Sequence, residues 1–261
     1  MNRLDRCFEA LKSQKKAAFI PFITAGDPSL DVTLGIMHAL VESGSDMIEL
    51  GIPFSDPMAD GSVIQLASER AIKSGVTVTK ILDLVTQFRD KNTTTPIILM
   101  GYFNPIFRYG AASFLKDAYK AGVDGLIVVD LPYEHEQELH SEQLPLIKLI
   151  TPMTEDDRLK RYISRAKGFI YYVSVAGVTG SKQASLDDLK KRITHIRQFT
   201  SLPIVVGFGI KTAQQVRDVS QLSDGVVVGS ALVEHIAKQD GGYANAAAEF
   251  VLELSSECKY N

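Results

Sequence analysis

The chain has 261 residues, 45% of them hydrophobic, and a formal net charge of -3. That size supports a sizeable core in one or two domains, and a mildly acidic chain with no basic block argues against a general nucleic-acid binder. Cys7 and Cys258, near opposite ends, give neither a disulfide framework nor a metal-ligand spacing, which fits a reducing compartment. The stretch MNRLDRCFEALKSQKK lacks the apolar core of a secretory signal, and no apolar run reaches the roughly 20 residues that span a bilayer. A cytoplasmic location is therefore expected.

The first fifteen residues read as an extra helix that closes one end of the fold. Short apolar runs then recur: Phe19–Ala25, Met47–Phe54, Pro96–Tyr102, Gly125–Leu131, Leu146–Thr151, Phe169–Val175, Pro203–Phe208 and Gly225–Gly229. Most are nearly continuous in Val, Ile and Leu, the pattern of parallel strands covered on both faces. Helical spacing fills the gaps, as in Val32, Ile36 and Leu40, in Ile81 and Val85, and in Phe114, Ala118 and Gly122. Ser29 or Asp31 is placed to cap the first of these helices. The alternation predicts a single-domain (β/α)₈ barrel over 1–261, with an open doubly wound sheet as the rival. Enrichment of Gly, Asp, Thr and Pro after nearly every run favours the barrel, whose whole C-terminal face carries function.

Ile48 to Gln65 carries the most chemistry. Glu49 sits between Ile48 and Leu50 inside an apparent buried strand, where an ionised carboxylate is costly unless paired or used. Asp60 follows in a Gly/Pro/Ser-rich loop. A strand-borne acid and a loop-borne acid together suit general acid–base work. The five histidines fall in helical or connecting segments, so no histidine zinc site or Ser-His-Asp triad is expected and no metal is assigned. Gly177-Val178-Thr179-Gly180, Gly207-Phe208-Gly209 and Gly229-Ser230 end the last three runs, and Ser230 is placed to cap a short helix over 231–236. Together they predict a phosphate site. Lys148, mid-run in the fifth strand, is read as a paired or snorkelling residue, with a Schiff-base nucleophile as the alternative.

The blocks Pro21 to Pro28, Glu49 to Pro57 with Ala59-Asp60-Gly61, Met100-Gly101-Tyr102, Asp130-Leu131-Pro132, Ser174 to Gly180, Gly207 to Ile210 and Val228 to Ala231 resemble, in the same order, the tryptophan synthase α-subunit family. The resemblance covers essentially the full length. It implies a (β/α)₈ barrel and reversible retro-aldol cleavage of indole-3-glycerol phosphate to indole and glyceraldehyde 3-phosphate, with no cofactor in this subunit. It implies that Glu49 transfers protons at indole C3 and the glycerol hydroxyl, while Asp60 handles the indole N–H. Phe22, Met100, Tyr102, Ile127, Val129, Ile150 and Tyr171 match positions that wall the substrate pocket. Thr179, Gly180, Phe208, Gly209, Gly229 and Ser230 match the phosphate end and a closing loop, with Thr179 orienting Asp60.

A pyridoxal-phosphate β subunit in an α₂β₂ complex is implied as partner, contacted through Pro53, Asp56 and Asn104-Pro105-Ile106-Phe107. A free-standing indole-releasing lyase, an aldolase using Lys148 and an allosteric subunit with decayed chemistry are the other readings. The chain departs from the family pattern at Ser62, usually Pro and expected to loosen the catalytic loop; at Val175, Arg in some members; and at Lys148, an interior position that is often apolar.

Overall fold

The computed structural model describes residues 2–173, 186–207 and 209–258. Each predicted run holds a parallel strand: β1 (Ala18–Thr24), β2 (Ile48–Gly51), β3 (Ile97–Gly101), β4 (Gly125–Val128), β5 (Lys148–Ile150), β6 (Ile170–Val173), β7 (Ile204–Gly207) and β8 (Gly225–Val228). Their order is β4-β3-β2-β1-β8-β7-β6-β5. β4 and β5 meet through the parallel bridge Leu126–Leu146, where the Leu126 N–H donates to the Pro145 carbonyl at 2.9 Å and Ile147 donates back to Leu126 at 2.8 Å. That seam closes the sheet into the barrel and settles the choice against an open sheet.

Because side chains alternate across each strand, the apolar runs build two cores. Phe22, Ile98, Ile127, Phe169, Tyr171, Val205 and Val227 fill the lumen. Phe19, Ile23, Ile48, Leu50, Leu99, Ile170 and Val226 face the surrounding helices. The N-terminal helix α1 (Arg3–Ser13), capped by Asn2, sends Leu4, Phe8 and Leu11 into the lumen core from below. Arg3 and Arg89 both reach Asp124, at 3.0 and 2.7 Å, and the same carboxylate accepts the Ile97 N–H at 2.9 Å. These bonds lock the lower rim between β3 and β4.

The predicted helices appear as α2 (Leu30–Glu42), capped by Ser29, α4 (Val78–Arg89) and α6 (Ala111–Ala121), which ends on left-handed Gly122; α7 (Asp156–Ser164), α8 (Leu186–Ile196) and α9 (Ala213–Ser220) follow β5, β6 and β7. Between α2 and α4 lies α3 (Ser62–Lys73), packed on β1 and on α10 (Ser230–Ala237). Two expectations need correction here. Ser230 is the first residue of α10, with Gly229 at the cap position. Ser62 likewise opens α3, a position that accepts proline because its N–H has no intrahelical partner; serine therefore meets the same backbone demand, and a loosened loop does not follow.

Lys148 does not point into the barrel. Its strand neighbour Leu149 packs on the lumen core, which turns Lys148 outward beneath the 3₁₀ helix Tyr133–Leu139. There its ammonium, with a side chain 6% exposed, lies 2.7 Å from Glu136 Oε1. Burial lowers its pKa, and the Glu136 carboxylate opposes that shift. The placement, at the first residue of β5 and away from the catalytic end, removes the Schiff-base reading. Breaking a buried pair strands the remaining charge. Lys148→Met should therefore cost about 3–5 kcal/mol in urea unfolding, and adding Glu136→Leu should recover most of it.

Candidate active site

The C-terminal ends of the strands bring the two acids to one mouth of the barrel. Glu49 pairs in register with Phe22 of β1 and Ile98 of β3, both lumen residues, so its carboxyl enters the lumen. It is 2% exposed, and burial pushes its pKa up to about 8. Tyr171 enters from β6 close enough for the Glu49 charge to help raise the pKa of its own hydroxyl, after burial. That ring needs a bare neighbour. A Cβ on Gly207 would lie 2.0 Å from the Tyr171 hydroxyl oxygen, so only glycine fits at the end of β7.

Asp60 lies on the loop between β2 and α3. Burial pushes its carboxyl up to about 6, against a hydrogen bond from the Tyr102 hydroxyl that favours the charged form. Tyr102 also accepts the Ala59 N–H at 2.9 Å, tying the loop after β2 to the end of β3. Its own ionisation is pushed up, first by burial and then by the Asp60 charge. A small pocket opens beside Asp60, walled by Phe22 of β1, Met100 and Tyr102 at the end of β3, and Val129 after β4. Ile127 is fully buried deeper in the lumen.

The same pocket is lined by Thr24, Ile52, Ile64 and Ser68, which the sequence reading did not single out. Ile64 and Ser68 are four apart on α3, and that helical spacing directly after Asp60 was the available signal. The Thr24 hydroxyl is buried with no hydrogen-bond partner among the described residues. Ile150 was expected in this wall but packs in the outer core with Ile170 and Tyr172, because Leu149 takes the lumen-facing register opposite Tyr171. Gly209 adopts φ +58° beyond β7, and a Cβ on Gly229 would lie 3.3 Å from that of Phe22, which sets the N-terminus of α10 over the β1 side of the mouth. Thr179, Gly180, Phe208 and Val175 lie outside the described residues.

The loops after β2 and β3 also carry the expected contact residues. Pro53 and Pro105 are half-buried, Asp56 and Asn104 are exposed, and Ile106 is buried as an anchor for α5 (Phe103–Tyr109). Asp130, at the end of β4, accepts the Phe103 N–H at 2.7 Å and so fixes the start of α5. Phe107 and Met58 are 62% and 84% exposed, unusual for large apolar side chains beside a working site. Among the described residues no three His, Cys, Asp or Glu side chains are grouped as a metal site requires, and no helix is long and apolar enough to cross a membrane.

A family model described as "Tryptophan synthase alpha chain" matches residues 8–259. The chain belongs to the tryptophan synthase alpha chain family. The tryptophan synthase subunit alpha of Legionella pneumophila str. Paris is 41% identical, covering 99% of this chain and 98% of its own, with a TM-score of 0.91. The tryptophan synthase alpha chain from Legionella pneumophila subsp. pneumophila is 40% identical, covering 99% and 97%, with a TM-score of 0.89. A Mycobacterium tuberculosis tryptophan synthase structure matches at 31% identity over 100% and 99%, with a TM-score of 0.88. Family membership agrees with a barrel whose acids, pocket and exposed loops all lie on one face.

The raised pKa of Glu49 also shapes stability. A carboxyl whose folded value exceeds its ordinary 4.5 favours folding when protonated, and this contribution is lost as pH rises toward about 8. Glu49→Gln, which stays neutral, should therefore match wild type in thermal unfolding near pH 4. It should exceed wild type by several degrees at pH 9; equal melting temperatures at both pH values would contradict an uncompensated buried acid.

Proposed function

We propose that Glu49 and Asp60 are the acid–base pair with which this member of the family reversibly cleaves indole-3-glycerol phosphate to indole and glyceraldehyde 3-phosphate. The observation that carries this reading is the unlike placement of the two acids: Glu49 is buried in the lumen, which pushes its pKa up to about 8, while Asp60 lies on the less buried loop beside Tyr102 and is pushed only to about 6. At neutral pH one is a donor and the other an anion, the condition for paired acid–base chemistry.

Carbon–carbon cleavage requires indole C3 to leave with the bonding pair. Glu49 donates its proton to C3, which places positive charge on the ring nitrogen. Asp60, held by Tyr102, accepts the N–H hydrogen bond and stabilises that charge. The Glu49 carboxylate then takes the proton of the glycerol hydroxyl. A carbonyl forms, the C3–glycerol bond breaks, and its electrons return to the ring, leaving indole and the aldehyde with Glu49 reprotonated.

Phe22, Met100, Ile127 and Val129 supply apolar walls for the ring, and Tyr171 flanks Glu49. Gly229 and Ser230 stand at the start of α10, whose free N–H groups favour an anion, and Gly209 follows the adjoining strand β7; both support their assignment to the phosphate. We assign Thr179, Gly180 and Phe208 to the same end on the family pattern. Proton transfers of this kind need no cofactor in this chain. Pro53, Asp56, Asn104, Pro105 and Phe107 form the seat we propose for a β subunit, in an α₂β₂ assembly where pyridoxal phosphate belongs to the partner; exposed Phe107 and Met58 support a contact there. The biosynthetic role supports a cytoplasmic location.

Indole release by wild type, Asp60→Asn and Glu49→Gln, with and without a β subunit, tests the assignment. Both substitutions should lower kcat by roughly a hundredfold or more, the scale of lost acid–base or electrostatic groups. Wild-type turnover in either variant would remove that residue from the chemistry. For the wild-type chain, kcat/KM should trace a bell, rising as Asp60 ionises near pH 6 and falling as Glu49 loses its proton near pH 8.

A further inference from the structure

Asp60 sits on a loop, and a loop alone does not hold a reacting group to within a fraction of an ångström. The loop is tied at one end by the Tyr102 bonds. At the other it runs into α3, where the Gln65 side-chain amide donates to the Asp60 main-chain carbonyl at 2.8 Å. Gln65 is exposed, so core packing does not explain its placement.

α3 is itself registered on the barrel. Arg70 meets Asp27 in a two-pronged contact, Nε to Oδ1 and Nη2 to Oδ2, both at 2.7 Å. The Asp27 carboxylate is nearly buried, and it belongs to the turn that ends β1. A planar guanidinium clasping a fixed carboxylate sets orientation as well as distance. The turn is pinned in its own right. The Gly26 N–H donates to Thr33 Oγ1 at 3.0 Å, and a Cβ on Gly26, at φ +84°, would lie 2.1 Å from a Val76 methyl. Ala67, Ser68 and Ala71, small residues on one face, let the helix lie close against its support.

We infer that Gln65 and Arg70 are positioning residues for Asp60: α3 is a strut whose Arg70 end is keyed to Asp27 on the β1 turn and whose Gln65 end holds the Asp60 backbone. The inference rests on the catalytic role proposed for Asp60. Neither side chain lines the pocket, so both act through Asp60, on the turnover step and not on substrate affinity.

The test is steady-state indole release by Gln65→Met, Arg70→Met and the double variant, beside Asp60→Asn, with thermal unfolding of each. Gln65→Met changes an exposed side chain, so it keeps the test open should Arg70→Met fold poorly. Each single variant should lose about tenfold in kcat with KM within about twofold, the scale expected when a reacting group is displaced by less than an ångström. The double variant should lose little more than the worse single one, because both act through one strut. Wild-type kcat in Gln65→Met, losses shared equally by kcat and KM, or fully multiplicative losses would overturn the strut. Those outcomes with Asp60→Asn inactive would leave the chemistry standing, whereas wild-type turnover in Asp60→Asn would remove the acid and the strut together.

Discussion

An acid buried with no counter-charge among the described residues is the constraint around which this barrel is arranged. Glu49 lies in the middle of β2, and every neighbour in register is apolar or aromatic. Water would relieve its charge, but the lumen is filled from below by Leu4, Phe8 and Leu11 and sideways by Phe22, Ile98 and Tyr171. The carboxyl is left desolvated in the lumen, and the energy withheld from the ionised form is what keeps a proton on it at neutral pH.

Asp60 shows the complementary solution. It is less deeply buried and takes a hydrogen bond from Tyr102, so it remains an anion where Glu49 does not. Tyr102 faces two ways, toward the acid and toward the Ala59 backbone, and so couples the position of the loop to the ionisation of its carboxylate. Two carboxyls about ten residues apart in the chain thus acquire different tasks from their surroundings alone.

Much of this was legible in the residues. The eight runs, the helix cap at Ser29 and the two acids follow from local pattern, since strand alternation and cap chemistry are written within a few positions. What escaped was set by register. Ile150 and Lys148 share one face of β5, and only pairing with β6 reveals that this face looks outward. A strand of three residues carries too little alternation to fix its own phase. Thr24, Ile64 and Ser68 escaped for a related reason: α3 reaches the mouth only because β1 and α10 receive it, a tertiary fact no single segment records. Ser230 was misplaced by one residue because Gly and Ser both suit a helix start.

The β4–β5 seam has a consequence of its own. Around the rest of the barrel, adjacent strands share ladders of three or four residue pairs, whereas here one bridge and its two backbone bonds carry the join. The weakest ladder is where a closed sheet parts first in sub-global opening. The wall of Phe22, Met100, Tyr102 and Val129 belongs to the first four strands, while Gly209, Gly229 and Ser230 belong to the last two. A molecule lying across the mouth therefore adds a second link between the two half-barrels, beside their continuous β1–β8 join. Occupancy would act as a clasp, slowing the breathing of a seam that the substrate never touches.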